Sequence, residues 1–133
     1  ALADRLAEAF AEYLHERVRL DFWGYAAVES FSKGELIKEQ YRGIRPAPGY
    51  PACPDHTVKP DMFKLLQAES IGMELTESFA MFPGAAVSGF YFAHADSKYL
   101  SVDKIGTDQM LDMAKRRSVS RDYLERWLAP NLS

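Results

Sequence analysis

The sequence predicts an α+β domain, a small and mostly antiparallel sheet covered by helices. Three observations carry that expectation. Apolar residues recur at spacings of three and four near both ends of the chain, which is the helical period. Between the ends lie short alternating or β-prone runs at 71–78, 87–93 and 99–102. The chain has 133 residues, 47% of them hydrophobic, which suits one domain with one core.

Taken in order, Leu2, Leu6, Phe10, Tyr13, Leu14 and Val18 make one apolar stripe on a helix from about Leu2 to Arg19. Glu8, Glu12, Glu16, Arg17 and Arg19 fall on its other faces, Glu8 near the rim of the stripe. Asp21 to Tyr25 is a short aromatic connector or helix end. Ser32-Lys33-Gly34-Glu35 has the form of a capping box. It opens a helix running to about Tyr41, with Gly43 placed to end it. Pro60 and Asp61 suit the first turn of a helix that stops before Gly72. Ile71 to Ser78 alternates as a strand does. Phe79 to Ala85 is apolar and closes on a Pro-Gly turn. Val87 to Ala93 and Tyr99 to Val102 are predicted strands of one hairpin, joined through Asp96-Ser97. Asp108 to Arg117 is a helix, and Ser120 caps a last one that Pro130 stops.

One segment fits none of these elements. Residues 43–57 hold four prolines and two glycines, which excludes a regular helix or a central strand. Each proline fixes its own φ and biases the residue before it, here Arg45, Ala47, Tyr50 and Cys53, to extended backbone. The result is a stiff ribbon that loses little entropy on ordering. Arg45 brings a planar cation suited to a carboxylate. Gly49 leaves the backbone bare to close approach, and Tyr50 adds an aromatic face with a polar tip. Together they read as a site for a small zwitterionic or aromatic ligand.

Other chemistries have weaker support. A net charge of −3 gives no basic patch for nucleic acid. No apolar run approaches the ~18 residues that cross a bilayer. The single cysteine, Cys53, excludes an internal disulfide and fits a reducing, cytoplasmic setting. Cys53 and His56 could begin a zinc site, but His15 and His94 are the only other imidazoles and there is no second thiol. A Cys-His nucleophile lacks an evident group to lower the thiol pKa. No glycine-rich phosphate loop occurs. The chain opens directly in a helical pattern without Met, as a piece of a longer polypeptide does.

Arg45-Pro46-Ala47-Pro48-Gly49-Tyr50-Pro51-Ala52-Cys53-Pro54-Asp55-His56 closely resembles the RxxxGYPACPDH signature of the cobalamin-dependent methionine synthases. In that family the signature lies in the C-terminal activation domain. The likeness extends through Ala3 to His15, Leu75 to Ala85, Val87-Ser88-Gly89, Asp96 to Tyr99 and Trp127 to Leu132, nearly the whole chain. It implies an activation-domain fold, with residues 1–133 forming the C-terminal part of that domain. It implies binding of S-adenosylmethionine and docking over the cobalamin held by another domain. A flavodoxin-type donor would supply an electron, and S-adenosylmethionine a methyl group, to reactivate an enzyme that carries methyl groups from methyltetrahydrofolate to homocysteine. By resemblance Arg45 holds the ligand carboxylate, backbone groups of Ala47 and Gly49 contact the ligand beside Tyr50, and Glu8 joins the site. The segment Phe79 to Ser88 would face the corrin. Two departures accompany the likeness. Leu100 stands where the family often has a second tyrosine, with Ser101 beside it also expected to line the site. An aspartate that binds the ligand amino group belongs to a family segment outside this sequence. A chain of this extent is expected to turn nothing over alone. The alternative expectation is a free-standing docking module for a corrinoid protein, without cofactor binding of its own.

Overall fold

The computed structural model describes residues 1–133. Helix α1 spans Leu2–Arg17 and runs on through a π-helical turn, Val18–Phe22, before Gly24 breaks it at φ +69°. Helix α2 is one short turn, Lys33–Ile37, started by the Ser32–Glu35 capping box. It stops well before Gly43, because Glu39 takes a left-handed φ of +51°. Helix α3 covers Lys59–Leu66 with Pro60 in its first turn, and Gln67 ends it in the left-handed conformation. A 3-10 turn at Ala68–Ile71 completes that region, up to Gly72.

The molecule is mostly helical with a small two-stranded antiparallel sheet. Strand β1, Glu74–Leu75, pairs with β2, Met81–Phe82, Leu75 opposite Met81. The alternating run at 71–78 thus supplies only two paired residues. The predicted hairpin of 87–93 with 99–102 does not form. Instead the first of these runs lies along the proline ribbon. Ile44 and Phe92 exchange both backbone hydrogen bonds at 2.9 Å, and Phe90 N–H donates to the Pro46 carbonyl at 2.9 Å. Pro46 and Pro48 have no N–H, so the ladder cannot extend along the ribbon. Glycines permit the approach: a Cβ on Gly43 would meet the Phe92 carbonyl oxygen at 2.3 Å, and one on Gly89 the Pro46 oxygen at 2.9 Å. The run at 99–102 binds the ribbon further on, where Val102 N–H donates to Pro51 O at 2.8 Å.

Helices α4, Thr107–Arg117, and α5, Arg121–Leu128, form the apolar core. Met110, Ala114, Leu124 and Leu128 are buried between them, rimmed by Ile105, Met113, Val119, Tyr123 and Leu132. Full burial of each large side chain contributes roughly 1.5–3 kcal/mol. Ser120 caps α5 as expected. Arg117, at the end of α4, ties this pair to the ribbon. Its guanidinium donates to Asp55 Oδ2 and Thr57 Oγ1, and Asp55 Oδ1 in turn accepts from Thr57 N–H and Oγ1–H.

Helix α1 is organised the other way round from its sequence pattern. Leu2, Leu6, Phe10 and Tyr13 are exposed, Leu2 at 74% and Phe10 at 59%. The residues it buries completely are His15 and Arg19. Only Leu14 and Val18 of the stripe are half-buried, whereas the His15–Arg19 face packs on Tyr25, Tyr41 and Tyr91.

Candidate functional site

The ribbon carries Arg45 to the buried face of α1. There its guanidinium meets three side chains. Nη2 donates to Glu12 Oε2 at 2.5 Å, and Nη1 faces the Tyr41 hydroxyl at 2.5 Å and His15 Nδ1 at 3.3 Å. The Arg45 backbone N–H donates to the Tyr99 hydroxyl at 3.0 Å. Arg45 is a quarter exposed, so the cation is reachable from solvent while it stays anchored.

Each anchor is itself held. The His15 ring stacks on Tyr91, centroids 4.9 Å apart, and meets Tyr41 edge-on at 5.0 Å. Arg45 is a donor to Nδ1, so the proton of neutral His15 sits on Nε2, 3.3 Å from the Tyr25 hydroxyl. Burial, then the charges of Arg19 and Arg45, bring the His15 pKa down to about 3. The Tyr41 ring lies under a second arginine, Arg19, whose guanidinium carbon is 3.9 Å from the ring centroid. Arg19 pairs with Glu29 at 2.7 Å, both nearly inaccessible. Burial pushes the Tyr41 hydroxyl up to about 12, so it stays protonated.

The other residues singled out from sequence divide into four groups. Gly49, Tyr50 and Ser101 come together with Pro54, His56 and Trp127 around an open cavity of about 580 Å³. Arg45 does not line it, nor does it line the larger cavity of about 630 Å³ beside Phe63 and Phe79. The bare backbone of Gly49 is taken up within the chain. Its φ is +95°, and a Cβ there would meet His56 Cε1 at 2.3 Å. Ala47 is half-buried at the Gly89 crossing. Glu8 is exposed one helical turn before Glu12, and Leu100 is 74% exposed next to Tyr99. Within the segment 79–88, Phe82 and Val87 are open to solvent, but Phe79 is turned inward at 4.5 Å from the Trp127 ring.

Cys53 shows no activation, since burial and then Asp55 raise its pKa. His56 Nδ1 faces Lys59 Nζ at 3.0 Å, and Lys59 also donates to the Phe79 carbonyl. No three His, Cys, Asp or Glu side chains converge as a metal-ligand set.

The model for "Vitamin B12 dependent methionine synthase, activation domain" matches residues 1–118. The chain belongs to this family. A solved structure described as the MetH reactivation domain bound to AdoHcy superposes with a TM-score of 0.93, at 62% sequence identity and over 98% of this chain. The chain spans 40% of the length of that relative. The fold is therefore that of the reactivation domain, and the likeness on which the sequence reading rested holds over nearly the whole chain.

Reading the sequence missed most of the group around Arg45. From sequence, Glu12 is only a residue on another face of the first helix, Tyr41 the end of the second helix and His15 one of two further imidazoles. The one available signal was that Glu12 and His15 follow Glu8 at helical steps of four and seven, on one face.

Proposed function

We propose that this chain binds S-adenosylmethionine at Arg45 and serves the reductive methylation that reactivates cobalamin-dependent methionine synthase. The observation that carries the reading is a quarter-exposed arginine fixed on a stiff ribbon, in a family whose solved member holds AdoHcy. The donor set suits the ligand. A guanidinium has five N–H groups, and protein acceptors face only Nη1 and one side of Nη2. The remaining N–H groups match a carboxylate. Ala47, Gly49 and Tyr50 of the same ribbon, with Glu8, Leu100 and Ser101 around it, make up the rest of the proposed site. S-adenosylmethionine would supply the methyl group.

On this reading residues 1–133 are the C-terminal part of the activation domain. Its partners are the cobalamin-binding domain of the same enzyme and a flavodoxin-type electron donor, and its setting is the cytoplasm, where Cys53 stays reduced. Phe82 and Val87, both exposed, suit the corrin-facing surface. Calorimetric titration with S-adenosylmethionine tests the proposal. Saturable heat that disappears in Arg45→Ala supports it. The engagement of Arg45 by Glu12 and Tyr41 favours a second reading, a docking module without its own cofactor. That reading predicts no heat but retained binding to a cobalamin domain.

A further inference from the structure

We infer that Glu12 and Tyr41 are positioning residues: they hold the Arg45 guanidinium in one orientation and leave its Nε–Nη2 edge for a ligand carboxylate. The inference rests on the reading that Arg45 receives that carboxylate.

The donor inventory gives the orientation. Nη1 is committed to the Tyr41 hydroxyl and His15 Nδ1, and one N–H of Nη2 to Glu12 Oε2. Glu39 Oε1 is 3.9 Å from Nη2, outside hydrogen-bond reach. Nε–H has no protein acceptor, and one N–H of Nη2 is also left. Nε and Nη2 share one edge of the planar group, the edge that grips a carboxylate through two parallel bonds. An arginine free to rotate would lose side-chain entropy on binding. One held beforehand has already lost it.

The holding groups are rigid for reasons visible in the packing. Glu12 projects from α1 three residues before His15, and its second oxygen, Oε1, is buried without a partner. Tyr41 is 7% exposed, clamped between His15 and Arg19, and Arg19 is fixed by Glu29. The chain of contacts Glu29–Arg19–Tyr41–Arg45–Glu12 thus joins the loop after α1, the loop after α2 and the ribbon at one cation.

The test compares S-adenosylmethionine with its decarboxylated analogue, which keeps the sulfonium and adenosine but lacks the carboxylate. Calorimetry is run on the wild type, Glu12→Gln and Tyr41→Phe. Each variant should weaken S-adenosylmethionine by roughly ten-fold, as loss of a well-placed charge-assisted bond does. Affinity for the analogue should stay within about two-fold, since no carboxylate contact remains to lose. Tyr41→Phe keeps the ring against Arg19 and His15, so it decides the matter even if Glu12→Gln does not fold. Equal weakening of both ligands would mean a purely structural role and overturn the inference. Tighter binding of S-adenosylmethionine by Glu12→Gln would make Glu12 a competitor for Arg45, and would overturn it too. A wild type that binds both ligands equally removes the assignment of Arg45 to the carboxylate, and this inference with it. A wild type that discriminates while the variants do not differ from it removes the inference alone.

Discussion

Acidification should unfold this chain through His15. The imidazole is completely buried between Tyr41 and Tyr91, with Arg45 on Nδ1 and Arg19 nearby. Its pKa falls from the ordinary 6.5 to about 3 in the folded chain. The unfolded state therefore binds the extra proton over the window between those values. Stability from keeping His15 neutral is fully present above pH 6.5 and is lost as pH falls toward 3. Integrating proton uptake gives a loss of about 2 kcal/mol at pH 5 relative to pH 7.5. That is a large part of the margin of a small domain. At pH 5 most ordinary carboxylates remain ionised, which isolates the effect. Urea unfolding at pH 5.0 and 7.5, on wild type and His15→Gln, measures it. The amide of His15→Gln does not titrate, so its curve should be flatter by that amount. His56 is shifted in the same direction, by burial and then by Lys59, so it adds to the wild-type slope, and His56→Gln measures its separate share. The decisive spectroscopic check is the His15 ring resonance. A titration midpoint near 6.5, or parallel wild-type and His15→Gln stabilities, would refute the reasoning.

Two further outcomes follow from the packing. Asp55→Ala should cost about 3–5 kcal/mol, because it leaves the Arg117 guanidinium without its buried partner and removes the acceptor of Thr57 N–H. Asp55→Asn keeps an acceptor for Thr57 and should cost less, with chemical denaturation ranking the two. Leu124→Ala deletes a fully buried side chain at the α4–α5 contact and should cost about 2–5 kcal/mol. A loss below 1 kcal/mol in the same assay would mean that the helical pair is not the stabilising core.

The helices were legible from sequence because local chemistry decides them. Ser32 with Glu35, Pro60 in a first turn and Ser120 before an apolar period each act within a few residues. Strand β1 falls inside the predicted run at 71–78 and pairs locally, but the pairing of the run at 87–93 is set over a long distance. Val87 to Ala93 has the composition of a hairpin arm, yet its partner is the proline ribbon some fifty residues earlier, admitted by Gly43 and Gly89. The stiffness and extended bias of the ribbon were readable from its prolines, as was the prominence of Arg45. The close approach that a bare backbone at Gly49 allows was readable too, but not that His56 is a group making it. The anchors of Arg45 stayed hidden because Glu12, His15 and Tyr41 look like ordinary helix residues until α1 turns that face inward.

The exposed row on α1 bears on how the chain responds to temperature. Heat capacity rises on unfolding chiefly because hydrocarbon becomes newly wetted. Here Leu2, Leu6 and Phe10 are already wet when folded, and what α1 conceals is an imidazole and a guanidinium. Newly wetted polar groups lower the heat capacity. The increment should fall below the usual roughly 12–15 cal/mol/K per residue. The curve of stability against temperature is then shallow, with its two cold and hot crossings set far apart for so modest a maximum.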